Sequence, residues 1–189
     1  MKTQVKKSTF FLMALISLCY VNVAQAQNKK AVEVGGAQMY PSKNIVENAV
    51  NSKDHTTLVA ALKAADLVET LNGSGPFTVF APTNDAFNML PTGTVETLLK
   101  AENKTALSGI LAYHVVAGKM DSKDLMKKIK EGNGKAELAT VAGGKLWASM
   151  EGKSLMIWDE KENSAEVTVG DVYQSNGVIH VVNKVLMPK

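Results

Sequence analysis

The apolar residues of this chain follow two rhythms. Up to about residue 130 they recur every three or four positions, and from about Ala136 they alternate with polar ones. The first rhythm predicts helices and the second predicts strands with one face buried. Ser42 is placed to cap a helix that groups Ile45, Val46, Ala49 and Val50 on one face. A second helix is expected from Thr56, capped by Asp54 or Thr56, with Leu58, Val59, Leu62 and Ala65 inward. A short helical turn continues to Leu71 and stops at the breakers Asn72-Gly73-Ser74-Gly75-Pro76. Phe77 to Phe80 reads as a strand. It leaves through Pro82 into a helix with Thr83 as N-cap and Asp85 in the first turn, where the helix dipole favours a carboxylate. Further helices are marked by Val95, Leu98 and Leu99, by Ala106, Leu107, Ile110 and Leu111, and by Leu125 and Ile129 behind a Ser122 cap. Tyr113-His114-Val115-Val116 reads as extended, ending at Gly118.

In the second half the candidate strands are 137–141, 145–151, 154–159, 165–169, 171–174 and 178–185. Gly143-Gly144, Gly152-Lys153 and Asn176-Gly177 serve as turns. Taking Gly152-Lys153 as a two-residue turn places Trp147 opposite Trp158 and Ser149 opposite Met156, with Ala148 facing Ile157 and Met150 facing Leu155. This register segregates aliphatic from aromatic side chains, whereas a one-residue slip mixes them. It predicts a Trp147–Trp158 pair on the less buried face. The run Val178 to Val182 does not alternate, which predicts a strand covered on both faces, with His180 inside it. Helices first and antiparallel strands after them give an α+β class in a single domain.

The N-terminus adds a compartment. Lys2, Lys6 and Lys7 precede an apolar stretch from Phe10 to Val23, and Ala24-Gln25-Ala26 supplies small residues for cleavage. Residues 1–26 thus read as a secretory signal peptide, too short for a membrane span. Residues 27–41 read as a mobile leader and 42–189 as the folded domain. Removing residues 1–26 leaves 163 residues, enough to build a core without staples. The one cysteine, Cys19, leaves with the signal, so stability must come from packing. Three lysines leave as well, and the remaining chain carries 18 basic and 18 acidic residues. All its basic residues are lysine. Balanced charge and the missing guanidinium both argue against nucleic acid as a partner.

Three blocks, in order, resemble the fasciclin-type adhesion domain, FAS1. They are Gly75-Pro76-Phe77-Thr78-Val79-Phe80-Ala81-Pro82-Thr83-Asn84-Asp85-Ala86-Phe87, then Tyr113-His114-Val115-Val116, then Ser175-Asn176-Gly177-Val178-Ile179-His180-Val181-Val182-Asn183-Lys184-Val185-Leu186. The resemblance spans about residues 42–189. It implies a β-wedge or sandwich of about seven strands, with helices mainly from the N-terminal half, and an extracellular role in adhesion. It also implies receptor contact through Tyr113-His114 and through Asp171-Val172, the latter standing where the family has an Asp-Ile pair.

Each candidate residue has a structural alternative. His180 and His114 sit among valines, so a hydrogen-bonded core histidine competes with a ligand or catalytic group, and the core reading is preferred. Thr83, Asn84 and Asp85 are explained by capping. Asn176 and Gly177 belong to the turn that, with His180, marks the structural motif. His55, His114 and His180 lack metal-ligand spacing, and no nucleophile elbow or phosphate loop occurs. Trp147, Met156 and Trp158 form either a platform for a sugar or a protein, or a cross-strand pair that simply stabilises a hairpin. These readings predict a secreted, non-enzymatic domain, extracellular or periplasmic. It needs no cofactor or metal, does not span a membrane, and adheres to a cell-surface or matrix protein or glycan. The alternative is a soluble carrier or recognition module for polysaccharide or a small apolar ligand, which requires a concave apolar pocket.

Overall fold

The computed structural model describes residues 30–189, so the expected signal peptide and its expected cleavage site lie outside the described residues. The chain opens with a hairpin of β1 (Val32–Val34) and β2 (Ala37–Met39). Helices α1 (Ile45–Ala49), α2 (Thr56–Ala64) and α3 (Val68–Asn72) follow. Strand β3 (Phe77–Pro82) leads into α4 (Asn84–Asn88), α5 (Thr94–Leu98) and α6 (Lys104–Tyr113). Strand β4 (Val115–Ala117) and α7 (Ser122–Glu131) precede five strands. These are β5 (Lys135–Ala139), β6 (Lys145–Glu151), β7 (Ser154–Trp158), β8 (Ser164–Gln174) and β9 (Gly177–Val182).

Seven strands form one sheet in the order β4-β3-β9-β8-β7-β6-β5. The two ends nearly meet: Val116 bridges Thr140, and the Val141 amide donates to the Val115 carbonyl at 2.8 Å. The sheet is therefore a wedge close to a barrel. It is not wholly antiparallel, because β9 pairs in parallel with β3 from Phe77↔Gly177 to Pro82↔Val182. A parallel neighbour far back in the chain leaves no local trace in the sequence of β9.

Two apolar cores lie on opposite sides of the β3–β9 pair. The first holds Val79, Ala81, Ile179 and Val181 under α1, α2, α4 and α6, with Ile45, Leu58, Leu62, Phe87, Leu107 and Leu111. The second fills the wedge. Phe80 and Val182 meet Leu125 and Ile129 of α7 and the inward residues of β5, β6 and β7, among them Leu138, Leu146, Ala148 and Ile157. All six residues of β9 are buried, as a run without alternation requires.

Residues 32–41 correct the expectation of a mobile leader. Val34 and Met39 are buried in the first core, and Asn48 of α1 accepts from the Tyr40 amide at 2.9 Å while its own amide returns to the Tyr40 carbonyl at 2.8 Å. Three caps are also corrected. Asn44, not Ser42, caps α1 in a reciprocal box with Glu47. Asp121, not Ser122, caps α7, because the Ser122 hydroxyl is donated to Asp171 at 2.6 Å. Neither Asp54 nor Thr56 caps α2; the Asn84 side chain reaches across from α4 and accepts from the Thr57 amide at 2.9 Å. Thr83 caps α4 as expected, accepting from the Ala86 amide at 3.2 Å. The strands expected at 165–169 and 171–174 are one strand, β8, interrupted by bulges near Val169 and Asp171, where Asp171 takes φ 59°.

The β8–β9 turn is Ser175-Asn176, since Gln174 faces Gly177 in the ladder. Its Asn176 ties three elements together. The side-chain oxygen accepts from the first helical amide of α1, Ile45, at 3.0 Å. The side-chain nitrogen donates to Leu71 at 2.7 Å and to Gly73 at 2.9 Å, beyond the end of α3. Gly177 is required by close approach: a Cβ there would lie 2.3 Å from the Phe77 carbonyl oxygen. Asn176→Ala removes three buried hydrogen bonds and strands their partners, so it is expected to lower the unfolding free energy by about 3 kcal/mol. Exposed Glu151→Ala is expected to stay within about 0.5 kcal/mol. Urea titration compares the two, and equal midpoints would refute the assigned role of Asn176.

Candidate functional site

The Tyr113-His114 pair is interior. Tyr113 is the last residue of α6 and His114 its C-cap, so only Val115 onward is strand, correcting the extended reading of all four residues. Tyr113 is 0 % exposed and His114 2 %. The Tyr113 hydroxyl donates to the Lys145 carbonyl at 2.6 Å and accepts from the Glu160 amide at 3.0 Å, which ties α6 to the starts of β6 and of the loop after β7. Burial pushes this hydroxyl up to about 12. His114 Nδ1 donates to the Ile110 carbonyl at 2.8 Å, and Nε2 accepts from the Leu186 amide at 2.9 Å. Both ring nitrogens are used, and the bonds fix one neutral tautomer. Burial pulls this imidazole down to about 4. As folded, neither side chain is available to a partner: this is the core reading, and it departs from the receptor contact that the resemblance implies.

Asp171 and Val172 differ from each other in exposure. Val172 is fully buried in the first core. Asp171 is half-buried, and its carboxylate accepts from the Ser122 amide at 2.7 Å and the Ser122 hydroxyl at 2.6 Å, fixing the first turn of α7 to the bulge in β8. Val172 is thus no contact residue in the folded chain, and Asp171 already has a structural task.

His180 is fully buried beside Phe80, with ring centroids 5.7 Å apart. Its Nε2 donates to the Met120 carbonyl at 2.9 Å, while Nδ1 has no partner and faces the bulge at Gly170. Burial lowers its pKa, so the neutral ring is the resting form. Asn84 is used structurally, capping α2 and donating to the Lys53 carbonyl at 2.8 Å, and Asp85 is exposed in the first turn of α4. Among the described residues, no group of three or more His, Cys, Asp or Glu is placed to hold a metal ion.

Trp147, Met156 and Trp158 are candidate binding residues that reach solvent together on one face. The observed register of β6 and β7 pairs Trp147 with Trp158, Ala148 with Ile157, Ser149 with Met156, Met150 with Leu155 and Glu151 with Ser154. Ala148 and Ile157 face the wedge core, fully buried, and Trp147, Ser149, Met156 and Trp158 are half-buried on the other side. The Trp158 indole N–H donates to Ser149 Oγ at 2.8 Å, and the Lys135 ammonium lies 5.1 Å from the Trp147 ring centroid. A groove of ≈570 Å³ is lined by Lys135, Trp147, Ser149 and Trp158 together with Gly134, Asp159, Glu160, Glu162 and Lys189. The polar rim was missed from the sequence because Glu160, Glu162 and Lys189 lie on a loop and a terminus that no periodicity marks.

A model of the Fasciclin domain family matches residues 53–188. The chain belongs to the fasciclin family. It is 42% identical over 191 residues to Protein sll1483 of Synechocystis sp., covering all of this chain and 99% of that protein. It is 37% identical over 145 residues to Immunogenic protein MPB70 of Mycobacterium bovis, across 74% of this chain and 66% of the relative. It is 34% identical over 178 residues to transforming growth factor-beta-induced protein ig-h3 of Sus scrofa, spanning 91% of this chain but 24% of that larger protein. The FAS1 domain pair of the insect cell adhesion molecule Fasciclin I superposes with a TM-score of 0.69 at 20% identity, over 77% of this chain and 51% of that one, which establishes the shared fold. No helix among the described residues is long and apolar enough to cross a membrane.

The buried imidazoles give a pH dependence with a definite sign. His114 titrates near 6.5 when unfolded and at about 4 when folded, so the unfolded chain takes up the proton first. Its contribution is complete above about pH 6.5 and is lost as pH falls towards 4, amounting to about 3 kcal/mol. His55 and His180 are lowered too and add in the same direction. Urea midpoints measured from pH 7 to 4.5 are expected to fall steeply, and less steeply in His114→Gln. Parallel declines in the two proteins would remove His114 from the account.

Proposed function

We propose that this protein is a secreted, non-enzymatic fasciclin-type domain that mediates adhesion to a cell surface or matrix, and that it does so through the outer face of β6 and β7. The observation that carries this reading is the exposure of Trp147, Met156 and Trp158 while Tyr113, His114 and Val172 are enclosed. Half-exposed aromatic side chains offer large contact area at little cost in conformational entropy. A binding rather than catalytic role is favoured by the state of the titratable groups. The Tyr113 hydroxyl and both His114 nitrogens are engaged in the interior, and His180 is sealed beneath Phe80 and Met120. The signal-like N-terminus supports export, with cleavage near Ala26.

A carrier for a small apolar ligand is less well supported. Two enclosed apolar cavities among the described residues, one between α1, α2 and β3 and one between α3, α6 and β4, measure ≈20 and ≈40 Å³. A drug-sized ligand needs about 300 Å³ or more.

Surfaces coated with the purified protein are expected to retain cells or matrix from its native surroundings. Retention is expected to disappear in Trp147→Ala/Trp158→Ala and to persist in Tyr113→Phe at temperatures where that variant stays folded by circular dichroism. Retention that survives the double change but is lost with folded Tyr113→Phe would sink the proposed face.

A further inference from the structure

The outer face of the β5–β8 wing has the size and chemistry of a ligand site. Its groove of ≈570 Å³ falls inside the range of about 300–1,000 Å³ that ordinary ligand pockets occupy. Trp147 and Trp158 stand directly opposite each other on neighbouring strands, which puts their Cβ atoms about 5 Å apart, and both line the groove. The neighbouring pairs on this face, Lys135↔Ser149 and Met156↔Glu166, continue it with hydroxyl, amine and carboxylate groups. We propose that this groove binds a neutral polysaccharide. The C–H faces of its sugar rings lie on the two indoles, and its hydroxyls meet the polar rim. The inference rests on the adhesive reading above and names its ligand.

Three features select that ligand class. The platform is held before anything binds: the Trp158 N–H is tied to Ser149, so its ring is already oriented and little rotamer freedom remains to be lost. The rim is also fixed and has capacity to spare. Glu160 accepts from the Lys145 amide at 3.0 Å and the Lys189 amide at 3.3 Å through different oxygens, and each carboxylate oxygen keeps a lone pair for a hydroxyl donor. Finally, the lining carries both signs and no cluster of cations. Lys135 and Lys189 stand with Asp159, Glu160 and Glu162 in the lining, and Lys145 is paired with Glu137 at 2.9 Å beside it. A sulfated or phosphorylated chain would need clustered cations, favourably arginine, and this sequence contains no arginine. A surface that is apolar at its centre and hydrogen-bonding with both signs around it matches a sugar ring, which is apolar on its faces and polar at its edge.

The test is electrophoresis of the purified protein through native gels containing hydroxyethylcellulose, galactomannan or dextran sulfate, with tryptophan fluorescence during titration with cellohexaose and mannohexaose. At least one neutral polymer is expected to retard the protein and perturb its fluorescence. Trp147→Ala and Trp158→Ala are expected each to weaken that binding by about tenfold or more. Met89→Ala, on another surface, is expected to leave it unchanged, and Trp147→Phe, which keeps an aromatic face and endangers folding least, to retain part of it. No retardation by either neutral polymer, equal retardation of the tryptophan variants, or retardation by dextran sulfate alone each overturns the proposal. The adhesion assay separates the two readings. Tryptophan-dependent retention on coated surfaces without neutral-glycan binding sinks this inference and leaves adhesion standing, and points to a protein partner. Glycan binding without any retention does the reverse.

Discussion

The structure depends on the parallel contact between β3 and β9. These strands lie next to each other in the sheet, and both are covered on both faces, so one apolar core forms on each side of the pair. A strand in that position has no solvent face on which to place polar side chains. Its backbone bonds must be completed by neighbours, and its ends must be closed by groups that replace water. Asn176 and Gly177 do this at the entrance of β9: the asparagine supplies the missing partners of α1 and α3, and the glycine lets two backbones approach. At the far end, His114 receives the Leu186 amide just beyond β9. Both cores are thus assembled around one strand whose boundary is set by two buried polar side chains.

Much of this is visible in the sequence where the signal is local. The uninterrupted run from Val178 to Val182 implies burial on both faces, and the segregation of aliphatic from aromatic residues around Gly152-Lys153 fixes the register of β6 and β7. The features that escape are long-range. The parallel partner of β9 lies about a hundred residues earlier. The cap of α2 comes from Asn84, a residue already accounted for in its own helix. The residues before Pro41 look unstructured because two three-residue strands are too short to show alternation, yet Val34 and Met39 find a core built by later elements. Misplaced caps share one cause: Ser42 and Ser122 are good caps by type, but Asn44 and Asp121 have the stronger acceptors one or two positions away.

The candidate site was legible in part, for a physical reason. The residues that announce the family are conspicuous because they are unusual: a tyrosine and histidines embedded in valine-rich segments, and an Asn-Gly before an apolar run. A polar group buried in an apolar segment has to be satisfied by particular atoms, and this demand makes such residues specific to the fold. Tyr113 links α6 to β6 and to the loop after β7, His114 links α6 to the segment after β9, and Asp171 fixes α7 to a bulge. Changing any of them alters the frame on which a contact surface rests. Loss of adhesion from such a change therefore does not place these atoms in the contact.

The outer face of β6 and β7 is under the opposite constraint. Its inward neighbours, Ala148 and Ile157, hold the hairpin in the second core, so Trp147, Ser149, Met156 and Trp158 are displayed by alternation without having to stabilise the wedge themselves. The cross-strand tryptophan pair contributes about 0.2–1 kcal/mol to the hairpin, a small share of a domain's stability. Side chains on this face can be exchanged one at a time while the fold persists, which the interior Tyr113-His114 motif does not permit. The separation follows from strand geometry: one register, fixed by the core-facing residues, determines which side chains are presented to solvent.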